Sequence, residues 1–555
     1  MKTQPTMTHR PHRTRPTRLA GFLLGLALAA FATHDAPAQS LRFPSDYAGE
    51  VGELLRQGHE LEIDRRWGDA LSHYEDAVRR HPNDRSLQLR FDHARLHYDL
   101  ARRYGDRSYR DLLAALSLGE ALDVYSEVLL KIQAHHVETP NWKAFVEHGT
   151  NAFEAALAEP AFLEYHAARL DSAAVDAFRR ELRRVLGPRV IQSRSDARSA
   201  AALAATLAQS RLGIPPHAVV LEYACGASSC LDPYSAYLTP DQLRDVYSQI
   251  EGNFVGLGLE LKADDGALLI VRVIPGSPAE RSGIAARDRI THVDGRPTRD
   301  LSTDGAANLL QGPEGTTVDL TLRAPGSEPR QVRVRRARVE VPSVDDVRIL
   351  QGGLGVGYLK ITCFQKTTTA DLEAALWSLH RSGMRSLIVD LRNNPGGLLL
   401  SAVEAADKFI DRGIIVSTRG RSAEEDFTYS AHDVGTWRMP LIVIIDQDSA
   451  SAAEIFAGAI RDHRRGTIVG VRSYGKGSVQ GIFPLAATRA GIRLTTSKFY
   501  SPSGHPYNRV GVEPDIEVRR VLRPVDGSVA PSDPQEDDPV LTAALQAAQQ
   551  LGSPR

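Results

Sequence analysis

Two uninterrupted apolar runs, Ser386-Leu-Ile-Val-Asp-Leu391 and Leu441-Ile-Val-Ile-Ile-Asp446, constrain the fold more than any other feature of this chain. A strand with one face in water alternates apolar and polar residues, whereas a continuous run must be covered on both faces. A helical stretch follows each run, near Leu398 to Phe409 and Ala452 to Ile460. Strand then helix, repeated, predicts an α/β layered domain over residues 341–520. The chain has 555 residues, room for about three or four folded units, so other domains must surround this one.

From Val51 to about Ala134 the pattern is helical, and a helical region is expected over residues 45–134. Gly58, Ala70, Tyr74, Ala77 and Pro82 stand at the spacing of a tetratricopeptide unit: small residues let two helices cross closely, an aromatic fills the gap, and proline ends the second helix. Leu54, Gln57 and Leu61 do not complete the pattern and no clear second copy follows, so a generic helical hairpin is the preferred reading. Helical character continues through residues 135–246. Within it, Cys225 and Cys230 flank Gly-Ala-Ser-Ser; a turn there would let them pair, whereas a helix would hold them apart. Cys363 reads as a buried apolar residue.

Residues 1–38 read as a secretory signal peptide, with Arg10, Arg13, Arg15 and Arg18 before the uncharged stretch Leu19 to Ala32 and an Ala36-Pro37-Ala38 cleavage site. The expectation is export to the periplasm or cell envelope, with an uncleaved inner-membrane anchor as the alternative. Removal of that segment would leave 62 basic against 67 acidic residues. The near balance argues against nucleic acid as a partner. Three cysteines are too few for a disulfide scaffold, and no metal site or cofactor is expected. Residues 521–555 read as an acidic linker and a short C-terminal helix.

Residues 247–340 change to short strands and glycine turns. Val255-Gly256-Leu257-Gly258-Leu259 opens the stretch, Leu268 to Val273 alternates like a half-buried strand, and Ser277-Pro-Ala-Glu280 starts a helix. Asp288 to Gly295 is a strand closing in an Asp-Gly turn, and Thr317 to Leu322 is another strand. This order resembles a PDZ domain, which implies that Val255 to Leu259 bind a peptide's terminal carboxylate through backbone amides. Arg287-Asp288 stands where such domains carry Gly-Asp, which weakens that turn.

The candidate chemistry lies between Asp446 and Gln480. Ser451 stands where a buried strand meets a helix, a position at which the helix dipole favours developing negative charge. Taken alone, Ser451-Ala-Ala-Glu454 is better explained as a capping box. Lys476, between Gly475 and Gly477, changes the balance, because no histidine and acid form a familiar triad with Ser451 and His463 reads as a C-cap of the same helix. A lysine serves as base only when neutral, at a cost of about 4.6 kcal/mol at pH 7 from an ordinary pKa, so the site must be desolvated. Gln480 would orient its amine without adding charge. A rival, Ser473-Tyr-Gly-Lys476, spells S-x-x-K, but its glycines disfavour the helix that motif requires.

Ser-Ala-Ser-Ala-Ala-Glu454 and Gly-Lys-Gly-Ser-Val-Gln480, with Leu231-Asp-Pro-Tyr-Ser-Ala-Tyr-Leu238, Asp390-Leu-Arg-Asn-Asn-Pro-Gly-Gly397 and Gly511-Val-Glu-Pro-Asp515, resemble the carboxyl-terminal processing (tail-specific) protease family of serine peptidases. The resemblance covers residues 120 to 551. It implies a crotonase-like layered protease domain, Ser451 as nucleophile, Lys476 as general base and Gln480 as its orienter. It also implies an oxyanion hole on the amides of Ala452 and of Gly396 and Gly397, and protein or peptide substrates bound by their C-termini. The N-terminal helices, unlike those of shorter members, are a candidate adaptor or oligomer contact. An inactive scaffold that binds protein C-termini is the alternative, against which the intact Ser451, Lys476 and Gln480 argue.

Overall fold

The computed structural model describes residues 49–166, 168–264, 267–300, 309–310, 312–350, 355–519 and 538–552; the signal segment and most of the acidic linker lie outside them. The described residues divide into two compact units, residues 255–340 and the remainder.

In the smaller unit, antiparallel strands Leu259–Asp264, Ala267–Val273, Arg289–Val293, Thr317–Arg323 and Arg330–Arg335 lie side by side in that order. Ile270, Ile290, Leu320 and Val334 pack beneath them. Leu257 is buried in this core too, Leu259 packs against it partly buried, and Val255 is half-buried. The loop is anchored by its carbonyls: Leu257 O accepts from Ala279 N–H and Gly258 O from Ile274 N–H, each at 2.9 Å. Gly258 has φ +82°, and a Cβ there would sit 2.2 Å from that of Ser277. Asp294 and Gly295 both take positive φ, 46° and 76°, as the Asp-Gly turn demands. Arg287 is held at φ 72°, the conformation that a glycine would adopt without strain.

The larger unit begins with α1 (Glu50–Ile63), α2 (Trp67–Arg80) and α3 (Arg85–Gly105). Ala70, Tyr74 and Ala77 on α2 are fully buried, and Tyr74 lies so close to Gly58 on α1 that a Cβ there would clash with the ring. The close crossing read from the spacing is therefore present. The helices that follow include five of 14 to 19 residues, Leu118–His135, Trp142–Ala156, Ser172–Leu186, Arg194–Leu212 and Pro216–Ser229. Tyr125, Phe153, Phe178 and Tyr223 form a core that continues into Ile492 and Leu494 of a β-sheet. The buried Glu222 accepts from Arg103 Nη2 at 2.6 Å and from Tyr104 Oη at 3.0 Å, tying α3 to this bundle.

In this region one open alternative is decided and one sequence expectation needs correction. Cys225 lies within the helix Pro216–Ser229 and Cys230 caps it; both are free thiols. The glycine between them serves helix crossing, not a turn, since a Cβ on Gly226 would lie 2.6 Å from the Cα of Gly149. The expectation is that helical character continues through residues 135–246, but a strand, Ala236–Leu238, interrupts it and pairs antiparallel with Gly491–Arg493.

The sheet of the α/β layered domain places strands Val344–Ile349, Val356–Ile361, Ser386–Asp390, Leu441–Ile445, Thr467–Gly470 and Ile516–Glu517 in that order, parallel from the second onward. Both faces are covered. Val389 and Val443 meet Phe409 and Phe456 on one side, while Ile388, Ile442 and Ile444 meet Val540, Ala544 and Ala548 of the C-terminal helix Pro539–Gly552 on the other. Each such large side chain contributes roughly 1.5–3 kcal/mol on burial, and the two-sided covering is what the continuous apolar runs required.

Candidate active site

Three adjacent parallel strands deliver three loops to one edge of this sheet. Ser386–Asp390 runs into Arg392 to Gly397, Leu441–Ile445 into Asp446 to Ser451, and Thr467–Gly470 into Val471 to Lys476. Open α/β sheets gather their ligands at this carboxyl edge.

Ser451 stands directly before the helix Ala452–Asp462 with φ 56° and ψ −116°, a backbone that costs a serine roughly 1–3 kcal/mol. The helix start is closed without the hydroxyl: Glu454 N–H bonds Ser451 O at 2.9 Å, and Ser451 N–H bonds Glu454 Oε2 at 2.8 Å. The first glycine loop lies against the serine. Ala450 N–H donates to Asn394 O at 2.9 Å, and a Cβ on Gly396 would lie 2.7 Å from that of Ser451. The Gly396 amide donates to Asn394 Oδ1 at 2.8 Å, so it is committed within its own loop and cannot, in this arrangement, also receive an oxyanion. Gly397 is exposed, at φ +135°.

Glu454, which the sequence presents as half of a capping box, does more than cap. Its fully buried carboxylate accepts from Ser451 N–H and Lys476 N–H on Oε2, both at 2.8 Å, and from Gly475 N–H and Ser473 Oγ on Oε1, both at 2.6 Å. One side chain thus holds the Ser451 loop against the Lys476 loop. Burial pushes its pKa up to about 7 against the pull of these donors. The rival Ser473 is 5% exposed, and its hydroxyl is engaged twice, donating to Glu454 and accepting from Val512 N–H at 2.7 Å. It is a structural tie. His463 ends the serine helix as expected, its ring bonded to Ile414 O at 2.7 Å.

Lys476 leads into the strand Ser478–Pro484, and its Nζ lies 4.7 Å from the centroid of the Tyr234 ring. Burial, followed by the positive charge of Arg493, pushes its pKa down to about 8, while Glu454 and Asp232 pull the other way. Tyr234 is placed by a turn around Asp232, whose carboxylate accepts from Tyr234 N–H at 2.7 Å, Ser235 N–H at 2.9 Å and Thr495 Oγ1 at 3.0 Å. Arg493 Nε in turn donates to Tyr234 O at 2.8 Å. Gln480 Nε2 donates to Ser478 Oγ at 2.9 Å and Ser478 O at 3.2 Å, so its amide hydrogens face the strand. Sequence reasoning missed Tyr234 and Arg493 because only tertiary pairing brings them beside Lys476. Among the described residues no cluster of ligating side chains could hold a metal ion.

The chain matches the model of peptidase family S41 over residues 355–518 and that of the PDZ domain over residues 269–324. It is similar to a carboxy-terminal-processing protease of Bartonella bacilliformis, 37% identical over 317 residues, 56% of this chain and 72% of that protein. It is also similar to a carboxyl-terminal-processing protease of Picosynechococcus, 36% identical over 52% of this chain and 70% of that one. Among solved structures, a photosystem II D1 C-terminal processing protease shares 25% identity over 78% of this chain and 97% of its own, with a TM-score of 0.38.

Proposed function

Since the chain belongs to peptidase family S41, the carboxy-terminal-processing proteases, we propose that it cleaves proteins near their C-termini with Ser451 as nucleophile and Lys476 as general base. The observation that carries this reading is the shared Glu454 oxygen, which accepts the backbone amides of both residues at 2.8 Å. Neutral Lys476 takes the hydroxyl proton as Ser451 Oγ attacks the scissile carbonyl. The tetrahedral oxyanion is received by the amides of Ala452, at the positive end of its helix, and Gly397. Collapse expels the amine, which leaves with the proton from Lys476, and a water activated by the same amine hydrolyses the acyl-enzyme. Gln480 is proposed as an orienter whose amide oxygen meets the ammonium formed on Lys476.

The pKa decides whether the dyad is affordable. At an ordinary lysine value neutrality at pH 7 costs about 4.6 kcal/mol; at about 8 it costs about 1.4 kcal/mol. Labelling the full chain with a fluorophosphonate, followed by casein digestion, tests the reading; a chain that takes no label and cuts nothing leaves only a binding scaffold.

Activity should follow the neutral lysine. The kcat/KM profile should fall as pH drops through about 8, because Lys476 then takes up a proton. Arg493→Gln removes a repelling charge, which favours the ammonium and should move this acid limb to higher pH. An unmoved limb in that variant would refute the electrostatic account.

The PDZ unit is proposed to capture the substrate's C-terminus on the loop Val255 to Leu259. Full-length Ser451→Ala titrated with matched peptides should bind the free acid more tightly than the amide by about 1–3 kcal/mol, roughly 5- to 150-fold. Equal affinities would remove tail reading from the function. We propose export on the basic and apolar pattern of residues 1–38, to be checked by fractionating cells that express the full chain. No described helix is long and apolar enough to cross a membrane.

A further inference from the structure

Helix α2 lies outside both matched segments, residues 269–324 and 355–518, yet one of its faces meets the catalytic loops. Its inner face, Ala70, Tyr74 and Ala77, is buried in the core shared with α1 and α3. Its other face carries Glu75 and Arg79, one turn apart and joined at 3.0 Å. Tyr474, the residue before Gly475-Lys476, donates its hydroxyl to Glu75 Oε1 at 3.0 Å, and the Arg79 guanidinium lies 4.2 Å from the centroid of the Tyr474 ring. Arg79 Nη1 also stands 4.0 Å from Asp448 Oδ1, three residues before Ser451. Arg79 and Asp448 are 31% and 24% exposed, so this contact is partly shielded from solvent.

The two loops are thus gripped twice. Beneath them Glu454 binds the amides of Ser451, Gly475 and Lys476. Above them a single guanidinium touches the base loop through Tyr474 and the nucleophile loop through Asp448. The lower grip is a buried carboxylate and the upper a planar cation stacked on a ring, a geometry that suits arginine better than lysine.

We propose that α2 is a built-in clamp on the active site, with Arg79 a positioning residue that sets the loops bearing Ser451 and Lys476 relative to each other. The proposal rests on the Ser451–Lys476 reading. Arg79 touches no reacting atom and acts through Tyr474 and Asp448. Loosening the lysine loop would admit water around Lys476, which is faced by Tyr234 and Asp232, by Arg493 and by Glu454. Its amine would then drift toward ordinary lysine behaviour.

The test uses the full chain and measures kcat, KM, the acid limb of the pH profile and thermal unfolding for Arg79→Ala, Arg79→Lys and Tyr474→Phe. Misplacing a catalytic group by about 1 Å costs up to about 100-fold, so Arg79→Ala should lose about 10- to 100-fold in kcat with KM within about twofold, and its acid limb should rise. Arg79→Lys, which keeps the charge but not the stacking plane, should fall between the parent and Arg79→Ala. Tyr474→Phe keeps the ring and should lose less than Arg79→Ala. A kcat and an acid limb in Arg79→Ala both within twofold of the parent would overturn the clamp. So would a lower unfolding temperature with the limb unmoved, which would make α2 mere packing, or a rise in kcat, which would make it a cover. Fluorophosphonate labelling of the parent separates the two levels: an unlabelled parent refutes the dyad and the clamp with it, whereas a labelled parent with an indifferent Arg79→Ala refutes the clamp alone.

Discussion

Ser451→Ala and Lys476→Ala should each reduce peptide hydrolysis by about 10⁴-fold or more, with little change in the unfolding temperature. The two losses should not add in the double variant, because nucleophile and base act as one unit. The structure explains why stability should be spared. The start of the helix Ala452–Asp462 is closed by the backbone of Ser451 and by Glu454, whose bonds at 2.9 and 2.8 Å survive removal of the hydroxyl. The Lys476 amide that binds Glu454 likewise survives truncation of the side chain. If Ser451 served only as a cap, its alanine variant would lose about 1 kcal/mol of stability and keep its activity. Ser473→Ala discriminates further. Its hydroxyl bonds Glu454 and Val512, so that variant should lose stability through two broken ties, yet retain measurable turnover. Turnover in Ser451→Ala comparable to the parent would end the mechanism.

Glu454→Ala should be the most damaging substitution for both stability and activity. Four donors converge on that carboxylate, and removing it strands them in a site from which water is excluded. Unsatisfied buried groups cost about 1–3 kcal/mol each, so even with partial rearrangement a loss of about 3–5 kcal/mol is expected. Glu454→Gln is the sharper probe. It keeps the volume but turns one oxygen into a donor facing donors, so two of the four bonds must fail. We expect that variant to fold, to unfold at a lower denaturant concentration, and to lose about 100-fold or more in kcat as the two loops separate. A Glu454→Gln chain with parental kcat would show that the shared oxygen does not position the dyad.

What was legible in the sequence and what was not divides along the range of the interactions. Continuous apolar runs encode two-sided burial residue by residue, so the sheet could be read before any neighbour was known. Ser451 and Lys476 could be singled out as candidates because few residue types can do the proposed chemistry and glycines flank the lysine. Glu454 looked like a cap because its partner three residues away is visible in the sequence, whereas its partners at Ser473, Gly475 and Lys476 lie 19 to 22 residues away. Tyr234 and Arg493 reach Lys476 only through the pairing of Ala236–Leu238 with Gly491–Arg493. The Gly-Ala-Ser-Ser stretch between Cys225 and Cys230 permits a turn by composition, but a facing glycine on another helix selected the helix instead. Arg287 keeps its turn at φ 72° despite lacking the glycine.

The three loops of the site hang from three neighbouring parallel strands, in register at Asp390 with Ile444 and at Ile445 with Gly470. Such strands stand about 4.8 Å apart whatever their side chains are. The coarse dimensions of the candidate site are therefore ruled by a main-chain lattice that exchanges among the apolar residues leave intact. Exchanging valine for isoleucine within that sheet should leave the spacing of the three loops unchanged. What the side chain of Glu454 adds is the finer placement of two loops whose coarse spacing the main chain already sets.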